Sequence, residues 1–256
     1  MLKWLQGRKE RIEGSREKMT HAVTRPAQQP STPLPVQKVR MVNMLTGHLA
    51  LKEFPHNQAQ TQWLGLRAKV NGSLIIFADI EEHSELREPE AHAQPTQAEH
   101  PDYTAILATH KESLDAKDFA RHRPSPASLT NPEPAKEFFS LKGTQATTYL
   151  GVVPVKEPWK VPATAAFGSW ERITDDDIVT AHLKSWYEKY GATPALIGAG
   201  QLELWLDRPV TDPEQAADLA LEMFSLCPDI IDEGTESTET LANSILGAHV
   251  WYFWWD

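Results

Sequence analysis

The chain has 256 residues, 41% hydrophobic and 23% charged, with a formal net charge of −10, a balance adequate for one large folded core. Its single cysteine, Cys227, excludes an internal disulfide framework and any multi-cysteine zinc or iron–sulfur site. No apolar run approaches the roughly 20 residues that cross a bilayer, and the opening "MLKWLQGRKERIEGSREKM" lacks the apolar centre of a secretory signal. A soluble cytoplasmic protein is expected.

Charge is divided unevenly along the chain. Residues 1–40 hold nine Lys/Arg against three Asp/Glu, a net of +6, so the remainder sums to −16. Such a body repels nucleic acid and attracts basic proteins. The first 20 residues can form a charged helix, and "RPAQQPSTPLPV" at 25–36 reads as an extended linker. Residues 1–36 are therefore expected to be a basic tail and Pro-rich linker.

In residues 37–100 the clearest signal is "LGLRAKVNGSLIIFADIEE". Leu64, Leu66, Ala68 and Val70 alternate with other residues, and Asn71-Gly72 suits a type I′ turn, so a β-hairpin is predicted here. Residues 87–102 read as a surface loop, and 106–123 as mixed strand and helix before a Pro-broken stretch at 124–134.

From 147 onward the pattern sharpens. "TTYLGVVPV" predicts a strand. "ITDDDIVTAHLKSWYEKYGA" predicts a helix capped by Thr174 or Asp175 and closed at Gly191. "PALIGAGQLELWLDRPV" supplies two strands around Gly198–Gly200. Asp212 and Pro213 then start an amphipathic helix with a stripe of Ala216, Leu219, Ala220, Met223, Phe224 and Cys227. A further helix follows Ser237, and Gly247 releases the chain into "HVWYFWWD". In that final strand Val250, Tyr252 and Trp254 face one side and Trp251, Phe253 and Trp255 the other. Five aromatics of about 150 Å² or more each would expose roughly 750 Å², above the largest patch of a typical monomer. An internal strand is the expected solution. The fold class is α+β: a mixed sheet flanked by helices in a C-terminal domain at 101–256, preceded by a β-hairpin-containing region at 37–100.

The stretches "VVPVKEPWKVPATAAFGSW", "LKSWYEKYGA", "FSLCPDIIDEG" and "WYFWWD" occur in this order in a bacterial family that the chain resembles, the domain of unknown function 4253. The likeness runs from about Tyr103 to Asp256. Relatives often carry Asn after the Phe-Gly-x-Trp turn, where this chain has Glu171. The resemblance implies an architecture and no reaction.

Candidate functional residues are few. Asp229, Asp232 and Glu233 cluster after Pro228 and suit cation binding, acid–base work or docking of a basic partner, although the calcium-loop spacing is absent and a solvated acidic turn has the same composition. Asp175, Asp176 and Asp177 are explained by a helix dipole. Trp159 and Trp170 sit on a Pro-shaped segment that can line a groove or plug a sheet face. Cys227 would be nucleophilic beside His182 or His249, but it lies on an apolar stripe, where free cysteines act as small hydrophobes. No phosphate loop, dinucleotide motif or nucleophile elbow occurs. No catalytic residue, metal or cofactor is assigned. The expected function is an acidic protein-interaction module, of the immunity type that neutralises a basic toxin. The rival reading is a hydrolase or metal-dependent enzyme built on Asp229, Asp232 and Glu233.

Overall fold

Runs of aliphatic and aromatic residues supply most of the strands, and helices cover the apolar side chains those strands present. A computed structural model describes residues 39–44, 47–78, 101–115, 122–142, 148–165, 176–198 and 200–255. The segments 1–36, most of the loop 87–102, Trp170, Glu171 and the caps Thr174 and Asp175 lie outside the described residues.

Seven strands among the described residues form one mixed sheet. They are β1 (Val39–Met44), β2 (Gly47–Phe54), β3 (Ser73–Ala78), β4 (Thr148–Val153), β5 (Thr193–Gly198), β6 (Gln201–Trp205) and β7 (Val250–Trp254), in the order β1-β2-β4-β3-β5-β6-β7. Every pairing is antiparallel except β3 with β5, where Ile76 and Phe77 lie opposite Leu196 and Ile197. Lys38–Asp256 forms one compact unit. Strands from before and after the expected boundary near residue 100 thus share a sheet.

The helices are α1 (Ala59–Leu66), α2 (Tyr103–Asp115), the short α3 (Val161–Ala165), α4 (Asp176–Tyr190), α5 (Pro213–Leu226) and α6 (Thr238–Ile245). Asp212 caps α5 by accepting the Glu214 amide at 3.0 Å, and Ser237 caps α6 by accepting that of Thr240 at 3.1 Å, as their polar side chains before an apolar stripe predict. The C-terminal order of elements is that expected from the sequence, with short helical turns added. The region at 106–123 differs: its residues 106–115 all belong to the helix α2.

The centre of the sheet is buried on both faces. On the first face Phe77, Leu202, Leu204, Trp251 and Phe253 pack with Leu183 and Trp186 of α4, Met223 of α5 and Leu241 of α6. On the second, Leu74, Ile76, Leu150, Leu196 and Val250 meet Ala59 and Trp63 of α1 and Phe138. The central strand β3 is buried at every position, which explains its unbroken apolar run.

The hairpin predicted around Asn71-Gly72 is not formed. Its supposed first strand is α1 and the turn after it, while the N-terminal hairpin is β1–β2. Tertiary anchoring of Trp63 opposes the local alternation. Its indole Nε1 donates to the Leu74 carbonyl at 2.6 Å, and its ring lies edge-on to Phe138 at 5.7 Å. Ala59 and Trp63, four residues apart, form the buried helical stripe, whereas Leu64 is 38% exposed. Gly72 still turns the chain, into β3. Its φ of 139° and a Cβ position 2.5 Å from the Val153 carbonyl oxygen admit glycine there.

The C-terminal aromatics are sealed as β7, which pairs with β6 and lies at the sheet edge, not inside it. Trp251, Phe253 and Trp255 turn to the first face and are buried; Tyr252 turns to the second and meets Phe139 at 5.8 Å. Beyond the strand, the Trp255 amide donates to the Gly200 carbonyl at 2.8 Å. Gly200 adopts φ 57°, and a Cβ there would stand 2.4 Å from the Trp255 carbonyl oxygen.

Candidate functional site

The acidic segment after Pro228 folds as a π-helical turn, Ile230–Thr235, with Ile230 and Ile231 buried beneath it. Asp229 is half-buried, and Asp232 and Glu233 are exposed. None of the three lines either of the two concavities described below. Trp159 lies in the turn Pro158–Lys160, half-buried, with its ring 5.0 Å from that of Tyr187 and its buried Nε1 without a hydrogen-bond partner. Cys227 is fully buried and its thiol donates to the Trp254 carbonyl at 2.9 Å. Burial pushes this thiol up to about 12, so it is protonated and unreactive at neutral pH. Neither proposed histidine is paired with it: His182 contacts His110, and His249 contacts the Leu206 carbonyl.

The structure instead brings together polar residues of α2, α4 and α5. Helix α4 turns Val179, His182, Leu183 and Trp186 inward at three- and four-residue spacing, with Tyr190 half-buried one turn further on. Helix α5 contributes Leu219, Glu222 and Met223. Helix α2 closes the arrangement with His110 and Lys111. His110 Nδ1 and His182 Nε2 are 2.9 Å apart. Glu222 accepts from Lys111 Nζ at 2.5 Å through one oxygen and from Trp186 Nε1 at 3.1 Å through the other. His182 is fully buried, and its Nδ1 has no hydrogen-bond partner.

These contacts fix the charge states. Burial would raise the Glu222 carboxyl, but Lys111, the Trp186 N–H and His182 outweigh it and hold the group below its ordinary value. Burial lowers His182 to about 4 against an opposing pull from Glu222, and His110 and Lys111 lower it further. At neutral pH the site therefore combines an ionised carboxylate with a neutral imidazole. Tyr190 is raised, first by burial and then by Glu222, Asp218 and Asp212. Beside this cluster opens a cleft of about 540 Å³ lined by Lys111, Lys189, Tyr190, Gln215, Asp218, Leu219 and Glu222. A second concavity, about 560 Å³, is mainly apolar and lies by β2, β4 and the end of α1, with Phe54, Leu66, Leu74 and Val152 in its wall.

One further ionisable group is buried on the opposite face of the sheet. Glu203 of β6 is fully buried and accepts the backbone amides of Phe139 at 2.6 Å and Ser140 at 2.8 Å. Burial raises its carboxyl to about 7, although these hydrogen bonds oppose the rise. Sequence reasoning missed Glu203 because it alternates with Leu202 and Leu204 and so appears outward-facing. For His182 a signal was present: it falls four residues before Trp186 on the apolar stripe of its helix. Among the described residues no group of three or more His, Cys, Asp or Glu side chains is placed to hold a metal ion.

Fold and site together define an α+β protein with a two-faced mixed sheet and a polar cleft at the junction of three helices. No curated protein and no solved structure matches the chain. Residues 149–256 match the family model described as Domain of unknown function (DUF4253). No described helix is long and apolar enough to cross a membrane.

Proposed function

We propose that the protein is an interaction module that docks a basic protein partner on the surface formed by α5, the π-helical turn and α6. The observation carrying this reading is the charge of residues 213–247. That stretch contains Glu214, Asp218, Glu222, Asp229, Asp232, Glu233, Glu236 and Glu239 and no Lys, Arg or His. Arg123 pairs with both Glu214 and Asp218, offsetting one of their two charges, and Lys111 neutralises Glu222. Asp232, Glu233 and Glu236 remain exposed on the turn, where their potential steers a basic surface into contact and makes binding salt-sensitive. Neutralisation of a basic toxin is the specific form this reading takes. The rival hydrolase reading gains no support from the placement of Asp229, Asp232 and Glu233 away from both concavities.

The immobilised full chain, exposed to a lysate of its own host at low ionic strength, is expected to retain a basic protein and to release it at about 0.3 M salt. The combined Asp232→Asn, Glu233→Gln, Glu236→Gln variant is expected to lose it. Retention of nothing at low salt, or retention indifferent to salt and to the variant, overturns the reading.

A further inference from the structure

The cleft between α2, α4 and α5 is independent of that acidic surface turn and has a different charge pattern. Its wall holds two cations, Lys111 and Lys189, and two anions, Asp218 and Glu222. A ligand of one sign would meet like charges on this wall whichever sign it carried. A ligand bearing both signs has a counterpart for each.

The hydrogen bonds already made show which groups are uncommitted. Glu222 is engaged through both oxygens, by Lys111 and by Trp186. Asp218 is engaged through one oxygen, by Arg123 Nε at 2.6 Å, which leaves the other to accept. Lys189 is in none of the ion pairs of the described residues. Gln215 supplies both a donor and an acceptor, and Leu219 with the Tyr190 ring offers apolar surface for a side chain. Behind the wall lies the His182–His110 pair, with the fully buried His182 Nδ1 unpartnered. An apolar stripe would pack α4 against α5 at lower cost than a buried carboxylate and imidazole. Perturbed ionisable groups beside a cleft are the pattern of binding sites, and the volume falls within the range of small-molecule pockets, about 300–1,000 Å³.

We propose that this cleft binds a small zwitterion of the amino-acid class, its ammonium directed to Asp218 and its carboxylate to Lys189. The test uses the full chain and titration calorimetry with the twenty common amino acids, each followed, where it binds, by its N-acetyl and amide forms. At least one amino acid is expected to bind with Kd below about 1 mM. Either blocked form, lacking one charge, is expected to bind at least about tenfold more weakly. Lys189→Gln and Asp218→Asn are each expected to weaken binding by a similar factor while leaving the ligand-free melting curve in place, since both side chains are at the surface. Lys184→Gln, on α4 but outside the cleft wall, is expected to leave affinity unchanged. Saturation by no amino acid, equal binding of the blocked forms, or unaltered affinity in both cleft variants overturns the proposal.

Discussion

Among the described residues each face of the sheet completely buries one acidic or basic side chain, and the two are handled in opposite ways. On the second face Glu203 receives two backbone amides and has only the neighbouring segment to hold. On the first, His182 has one nitrogen paired with another histidine and the other with nothing. A buried polar group whose hydrogen bonds are met has a sufficient structural explanation. One left partly unmet beside a cleft points to work beyond packing. The contrast separates a latch from a site.

The two groups also act on stability with opposite signs. The Glu203 carboxyl is raised from 4.5 to about 7. The folded state therefore binds more protons than the unfolded state between those values, and stability falls as pH rises through that window. His182 is lowered from 6.5 to about 4. Here the unfolded state binds more protons, and stability rises with pH over about 4 to 6.5. Between about pH 4.5 and 6.5 the two slopes oppose each other.

Removing β7 would damage both faces at once. Deletion of residues 249–256 is expected to abolish cooperative thermal unfolding, as followed by calorimetry; a deleted protein that still melts cooperatively would show the faces to be self-sufficient. Next in size, Phe253→Ala on the first face and Trp63→Ala on the second are each expected to cost about 3–5 kcal/mol in denaturant titrations. A loss on one face alone would make that face the sole core. The pH experiment sharpens the contrast directly. In the native chain the Glu203 and His182 contributions should largely offset each other from pH 4.5 to 6.5. Glu203→Gln should reveal a rise of about 3 kcal/mol from pH 4 to 7, and His182→Gln a fall of similar size. Both variants retaining the native profile would contradict the assigned charge states. Smallest, Lys184→Ala removes a solvent-exposed pair with Glu188 and should change stability by less than about 0.5 kcal/mol.

The C-terminal elements were legible where local chemistry and tertiary packing agree. The cap at Asp212, the stripe from Ala216 to Cys227 and the two-sided pattern of Val250–Trp255 all reappear in the structure. Leu64–Val70 misled because alternation in a short run cannot compete with Trp63, which is fastened to Leu74 and packed against Phe138. The polar cleft was illegible for another reason. His110 and His182 are 72 residues apart, and Lys111 and Glu222 are 111 apart. Nothing in the spacing of either pair announces that the helices meet. The acidic turn, conspicuous as a string of letters, proved to be a surface over two buried isoleucines.

The strand order has a consequence for the matched stretch, residues 149–256. Within the matched stretch, β5 has no sheet neighbour on its β4 side, because β3, contributed by residues 73–78, occupies the place between them. Excised alone, 149–256 would have a slot through the middle of its sheet, with two rows of backbone amides and carbonyls open to any extended segment that fits. A chain that carries this stretch without its own filler must borrow one, from a preceding region of another design or from a second molecule.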